Sequence, residues 1–300
     1  MSDFMEDQNR IGLIGLGSMG SNIAKILLRD NYSITVYNQS NSKYSQFTGN
    51  DNVQRSDSIE DFAEKLQRSG SAIVWLMIPG GSPTNSMVDR LSELLKEGSI
   101  VIDGSNSKYE DSMANYKKMN LKSISYLDVG VAGGPDDLLK GVALSVGGDM
   151  DAFEKAEPVL KAVAGEGTYE HVGGSGQGHW WKGAHNAYFY SIYPKAAQIA
   201  KLMMDRQGLD VQKALKLFAT APPITTGIPQ SILDAYESGL ITGKVQPEIP
   251  VSKMVSSFVD KEVSEGADLT LIREALRCYP TMSEGTKSVM NPAKKKLTGH

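Results

Sequence analysis

Three glycines, Gly15, Gly17 and Gly20, stand in a G-x-G-x-x-G spacing between an apolar run and an amphipathic one. That spacing suits a turn that receives a pyrophosphate. Gly15 allows a tight turn, Gly17 lets the backbone approach the phosphates, and Gly20 lets helix and strand pack closely. Leu16, Ser18 and Met19 complete the loop. The N–H groups that open the following helix add partial positive charge. The glycine spacing alone is a weak signal; its place after a strand and at a helix start makes it specific. At the end of the next strand, an acidic residue would bind the ribose hydroxyls of NAD, and an arginine would accept the 2′-phosphate of NADP. The chain has Asn38-Gln39-Ser40-Asn41-Ser42-Lys43 there, with neither. Asn38, Gln39, Ser40 and Lys43 are the candidate contacts. Absence of a carboxylate, with Asn38, Ser40 and Lys43 available to a phosphate, favours NADP over NAD.

Farther along, Lys182 and Asn186 are four residues apart, so a helix places them on one face. On spacing alone, such a pair is usually solvated. His171, His179, His185 and His300, with the single Cys278, show no metal-ligand spacing. Cys278 reads as a helix residue near the core. One cysteine excludes an intrachain disulfide and fits a reducing compartment.

These residues need elements to hold them. Residues 10–14 read as a buried strand, Ser18 onward as a helix through Ile23, Ala24, Ile26, Leu27 and Leu28, and 33–37 as a second strand. Helical patterns over 59–66, 85–95 and 112–119 then alternate with strands at 71–77, 99–102 and 125–129. The alternation predicts an α/β Rossmann domain, doubly wound on a mostly parallel sheet, over residues 1–177. From 178 the texture is helical. A long segment over 179–207 should kink at Pro194, and later helical patterns are parted by Pro222-Pro223, Gly227 to Pro229 and Pro247 to Pro250. Residues 178–300 are thus expected to form an all-α substrate and dimerisation domain.

With 40% hydrophobic and 22% charged residues and a net charge of -4, the composition is that of a soluble globular protein without a nucleic-acid-binding face. The uncharged stretch from Ser69 to Val88 is broken by Pro79, Gly80, Gly81 and Pro83, so a strand and loop are expected instead of a membrane span. The acidic, polar start shows no secretory h-region, and a cytoplasmic protein is expected. Lys294-Lys295-Lys296 reads as a solvated terminus.

Three further blocks carry a family resemblance. Trp75-Leu-Met-Ile-Pro79-Gly80 resembles W-L-M-V-P-A-G, Ile102-Asp-Gly-Ser-Asn106-Ser107 resembles I-D-G-G-N-S, and Gly178-His-Trp-Trp-Lys182-Gly-Ala-His185-Asn186 resembles G-H-F-V-K-M-V-H-N. With the glycine loop, these blocks resemble the 6-phosphogluconate dehydrogenases, in a short form, within the β-hydroxyacid dehydrogenase superfamily. The resemblance implies Lys182 as the base that takes the substrate hydroxyl proton and Asn186 as a hydrogen-bonding partner of the reacting oxygen. To serve as a base near neutral pH, Lys182 must be desolvated and its pKa lowered. The same resemblance implies cofactor contacts at Met77, Ile78 and Pro79, and a place for Asn106 beside both nicotinamide ribose and substrate. It places His185, Gly133, Gly134 and Tyr190 at the substrate. Lys253 and Arg277 fall where the family has anion-binding residues, on a looser alignment. No metal is implied. Trp180 and Trp181 read as packing residues.

Two positions depart from the pattern. Phe189 replaces a glutamate that in the family protonates the enol left after decarboxylation, and Ala132 replaces a serine in V-S-G-G. Each removes a polar group from the substrate side. Leaving a substrate polar group unpaired costs about 1–3 kcal/mol. The expected reaction is therefore NAD(P)-dependent oxidation of an anionic β-hydroxy acid, a phosphate or phosphonate, with or without loss of CO2, in a homodimer or homotetramer. The alternatives are a reductase acting on an imine or semialdehyde, and a non-catalytic dinucleotide-binding protein. No nucleic-acid or membrane partner is expected.

Overall fold

The computed structural model describes residues 10–68, 70–220, 252–266, 269 and 273. Arg277, Cys278, the lysine-rich tail and the Pro/Gly clusters between 222 and 250 lie outside the described residues. The chain divides into two units, Met1–Lys182 and Gly183–His300.

The first unit is built on one sheet. β1 (Arg10–Ile14), α1 (Ser18–Arg29) and β2 (Ser33–Tyr37) form the opening unit, and a 3-10 segment (Asn41–Phe47) leads to β3 (Val53–Arg55). Then follow α2 (Ile59–Leu66), β4 (Ile73–Leu76), α3 (Ser82–Leu94), β5 (Ile100–Asp103), α4 (Tyr109–Asn120) and β6 (Ser125–Ala132). A short α5 (Pro135–Leu138), β7 (Ala143–Gly147), α6 (Met150–Ala164) and β8 (Thr168–Gly173) complete it. The strand order is β3-β2-β1-β4-β5-β6-β7-β8. Only the β6–β7 pairing is antiparallel.

The sequence dictates this layering. Strands covered on both faces must be apolar throughout, and β1, β4 and β5 are nearly continuous apolar runs. Helices cover them with one apolar stripe each. On α1 the buried positions include Ile23, Ala24, Ile26 and Leu27. Two apolar clusters result, one including Leu13, Ile23, Leu27 and Trp75, the other including Ile14, Phe62, Val74 and Tyr126. Each fully buried aliphatic or aromatic side chain contributes about 1.5–3 kcal/mol.

The topology fixes where a ligand can go. After β3 the chain crosses back over β1 to place β4 on its other side. In a sheet of this kind, such a reversal of strand order between β1 and β4 marks where ligands bind, outside the strand carboxyl ends.

In the second unit α7 (Gln177–Asp205), which starts in the first unit, runs on as one helix through Pro194; α8 (Val211–Thr220) and α9 (Ser252–Ser264) follow. Buried Ala187 and Val259 pack with Tyr190, Phe258, Val263 and Leu269. Among the described residues no helix is long and apolar enough to cross a membrane. Between 130 and 175 the sequence predicts loop residues alone. The structure places β7, α6 and β8 there, adding an edge with one antiparallel pairing.

Candidate active site

The glycine loop is held from three sides. Gly15 adopts φ +101°, open to glycine alone at low cost, and its N–H donates to the Tyr37 carbonyl at 2.9 Å. A Cβ on Gly15 would fall 2.3 Å from the Met77 carbonyl oxygen, and one on Gly20 would fall 2.0 Å from the Gly15 carbonyl oxygen. Gly17 differs: nothing lies within 4 Å of where its Cβ would be. Its backbone faces open space at the start of α1, and no side chain caps that helix. A helix N-terminus with unspent N–H groups, an exposed Ser18 beside it and room at Gly17 fits a dinucleotide pyrophosphate. Leu16 is fully buried and Met19 partly so.

Asn38 braces this loop. Its Oδ1 accepts the Leu16 N–H at 2.8 Å, its Nδ2 donates to the Ser40 carbonyl at 2.8 Å, and its N–H donates to the Tyr44 hydroxyl at 2.6 Å. Asn38, a candidate phosphate contact, thus also holds the turn. Gln39, Ser40 and Lys43 are exposed at the same rim, and the Ser40 and Ser42 hydroxyls lie 3.0 Å apart.

Met77 and Ile78 follow β4, with the Met77 N–H on the Ile14 carbonyl at 2.8 Å. Pro79 is exposed, its carbonyl accepting from the Thr84 hydroxyl at 2.9 Å. Gly80 brings this loop against the next one; a Cβ there would sit 2.3 Å from the Asn106 carbonyl oxygen. Asn106 is exposed between two buried serines whose hydroxyls pair at 2.7 Å. Buried Asp103 sets the turn by accepting the Ser105 N–H at 2.9 Å and the Tyr126 hydroxyl at 2.6 Å. Burial and the neighbouring Asp103 carboxylate push the Tyr126 phenol well above its ordinary range, so it stays a donor.

At the end of β6, Ala132 is followed by Gly133 at φ +151°, where a Cβ would meet the Val142 side chain at 2.6 Å. The Gly134 N–H donates to Asp137 at 2.8 Å. The loops after β1, β2, β4, β5 and β6 all leave at the sheet's carboxyl end, so the structure brings their candidate residues to one rim.

Lys182 reaches the same strand from α7. The first turn of α7 is pressed on β6 and β7: a Cβ on Gly178 would lie 2.2 Å from the Asp128 carbonyl oxygen, and one on Gly130 would lie 2.6 Å from Lys182 Cβ. Asp128, fully buried, accepts the Gly176 N–H at 2.7 Å and the His179 N–H at 2.8 Å. Ser145 donates to the Gly178 carbonyl at 2.9 Å, and His179 Nδ1 pairs with the Ser112 hydroxyl at 2.7 Å. The lysine is therefore rooted two residues below Ala132. Burial lowers its pKa to about 8.

One turn further along α7, Asn186 is buried and His185 partly buried. Burial pushes the Tyr190 phenol up. Phe189 lies on α7 and Lys253 on α9. Among the described residues no cluster of His, Cys, Asp or Glu is suited to a metal. Sequence reading missed Asp128, Ser145 and Asn22, whose roles depend on pairings between distant elements.

Residues 10–173 match the family described as the NAD binding domain of 6-phosphogluconate dehydrogenase. The chain belongs to the 6-phosphogluconate dehydrogenase-like family. Among its relatives is the decarboxylating 6-phosphogluconate dehydrogenase of Bacillus licheniformis, 34% identical over 220 residues, 71% of this chain and 47% of that protein. The chain thus spans about half the length of this relative. Similar folds are those of Mycobacterium tuberculosis 3-hydroxyisobutyrate dehydrogenase, at TM-score 0.73 and 19% identity over 97% of this chain and 99% of that one, and Plasmodium falciparum 6-phosphogluconate dehydrogenase, at TM-score 0.78 and 17% identity over 97% and 65%. The 6-phosphogluconate dehydrogenase-like fold thus accounts for the Rossmann rim and for a helix carrying Lys182 from it.

Proposed function

We propose that this chain oxidises an anionic β-hydroxy acid with NADP, Lys182 serving as the base. The observation that carries the reading is Lys182: rooted against β6 below the Ala132-Gly133-Gly134 loop, with its pKa lowered to about 8 by burial alone. A lysine brought that low is about one-tenth neutral at pH 7, enough to accept a proton. Bound at the rim, the nicotinamide would accept hydride from the hydroxyl-bearing carbon.

The protein residues divide the remaining work. Lys182 Nζ takes the hydroxyl proton, and Asn186, one helical turn on, donates to the oxygen as its C–O bond gains double-bond character. Asn106 and the Ala132–Gly134 loop confine the substrate. Tyr190, Lys253 and Arg277 are proposed to meet its anionic end. Ala132 and Phe189 lack the hydroxyl and carboxyl groups of the family pattern, so the substrate carries fewer hydroxyls than 6-phosphogluconate, and a decarboxylation step lacks its usual proton donor. The working assembly is proposed to be a homodimer or a homotetramer built from dimers.

The test is nicotinamide reduction with NADP and NAD against 6-phosphogluconate, 3-hydroxyisobutyrate and phosphorylated or phosphonate β-hydroxy acids, with CO2 followed in parallel. Activity on a hydroxy acid smaller than 6-phosphogluconate, lost in Lys182→Ala, is expected. Reduction that survives in Lys182→Ala, or none with any acid, would overturn the reading.

A further inference from the structure

The β2 rim lacks an arginine for a 2′-phosphate: Gln39 stands in the run where one is expected, Lys43 is a flexible point charge, and Asn38 braces the glycine loop. A guanidinium nevertheless reaches this rim from the next strand. Arg55 ends β3, paired in register with Val36 one residue short of the end of β2, and both strands run parallel. The two side chains therefore leave at the same end of the sheet. The guanidinium carbon of Arg55 lies 4.7 Å from the ring centroid of Tyr44, and Nη2 donates to the Asn41 side chain at 3.2 Å. It stacks on an aromatic ring and points along the turn that carries Ser40 and Ser42.

Tyr44 is not a casual neighbour. It is buried, and its hydroxyl accepts the Asn38 N–H at 2.6 Å while lying 3.3 Å from the Ser56 carbonyl it donates to. Asn38 in turn holds Leu16 in the glycine loop at 2.8 Å. The platform under Arg55 is thereby fixed to the loop that faces the pyrophosphate. Arg55 also pairs with Asp57 at 2.9 Å, but through the same Nη2, and both side chains are solvent-exposed. Such a pair is weak. Among the described residues, Nη1 and Nε have no hydrogen-bond partner, which leaves one edge of the fork for a planar set of phosphate oxygens.

We infer that Arg55, supported by Tyr44 and flanked by the Ser40 and Ser42 hydroxyls and Lys43, is the residue that selects the 2′-phosphate of NADP in this chain. The guanidinium comes from β3 in place of the β2 turn. The inference rests on the NADP reading above, but not on the choice of acid or on Lys182.

The experiment is calorimetric titration of the full chain with 2′,5′-ADP and with 5′-AMP, which differ only in the 2′-phosphate and need no turnover. The unaltered protein should bind 2′,5′-ADP at least tenfold more tightly than 5′-AMP. Arg55→Ala should lower 2′,5′-ADP affinity tenfold or more and leave 5′-AMP within twofold. Arg55→Gln, which keeps a polar side chain beside Tyr44, should behave the same way, and unchanged 5′-AMP binding shows that the fold is intact. Equal loss for both ligands, or no loss for 2′,5′-ADP, would overturn the assignment of Arg55. An unaltered protein that binds the two ligands alike would overturn the NADP reading together with it, whereas failure to oxidise any acid would leave this result standing.

Discussion

The side-chain amide of Asn22 donates a hydrogen bond of 2.7 Å to the carbonyl of Pro135. Asn22 lies on α1, just behind the glycine loop, and Pro135 opens α5, just after Ala132-Gly133-Gly134. One bond thus ties the cofactor helix to the loop proposed to confine the substrate. Gly133 cannot relax freely, since Val142 lies beneath it and Asp137 holds the Gly134 N–H. Asn22→Ala should loosen the loop from outside while sparing the glycine turn. Loss of one such bond is worth about 1 kcal/mol, roughly fivefold. A rise of that size in KM for the acid substrate is expected, with dinucleotide affinity unchanged. An equal loss for acid and dinucleotide would show that Asn22 serves only the cofactor helix.

The three loop glycines should separate by assay. Gly17 has φ −65° and open space where a Cβ would go, so alanine is tolerated by the fold but intrudes on the phosphate position. Gly15 and Gly20 are fixed by the chain itself, through a positive φ and carbonyl oxygens 2.3 and 2.0 Å from the added atom. Gly17→Ala is expected to keep its melting temperature within about 2 °C and to lose nucleotide affinity tenfold or more. Gly20→Ala should melt several degrees lower, since a shift of 1 kcal/mol moves the midpoint by roughly 2–4 °C in a domain of this size. Matching thermal and binding losses in both variants would refute the division.

The contrast shows what the sequence could reveal. The strand run 10–14, the glycine spacing and the helix after it are local signals, each set by neighbours within a few residues, and they yield the Rossmann core and its rim. Antiparallel β7 was not legible, because a short apolar run such as Ala143–Gly147 does not state its direction or its partner. Arg55 was missed for a related reason. Its relevance arises from the register that sets it beside Val36, and nothing within a few residues of position 55 announces that. Asn38 was legible as a residue of the rim but not as a brace of the turn, since its bond to Leu16 spans 22 residues.

Asp128 should matter for how firmly the helix bearing Lys182 is seated. Its two carboxylate oxygens take the Gly176 and His179 N–H groups from a fully buried position, so they supply the acceptors that the first turn of α7 lacks. Asp128→Asn turns one oxygen into a donor facing a donor. Hydrogen bonds to charged groups are worth about 1.5–3 kcal/mol, and a loss of about 2 kcal/mol in urea-unfolding stability is expected. Asp128→Ala leaves both N–H groups buried without these acceptors and should cost more. A change below about 0.5 kcal/mol in both variants would mean that the helix is held by the Ser145 and glycine contacts alone.

The pH dependence tests the base directly. Lys182 works as a base only when neutral, and burial brings its pKa to about 8. The neutral fraction therefore rises about tenfold per pH unit below that value and levels off above it. For the acid substrate, kcat/KM should rise with pH along a unit slope and bend near pH 8, set by the free protein. Lys182→Arg keeps a positive charge throughout this range and should abolish turnover while 5′-AMP still binds. The sign is decisive. A rate that falls as pH rises from 6 to 8 would require a protonated group and would remove Lys182 from the role of base. An unchanged profile in Lys182→Arg would do the same.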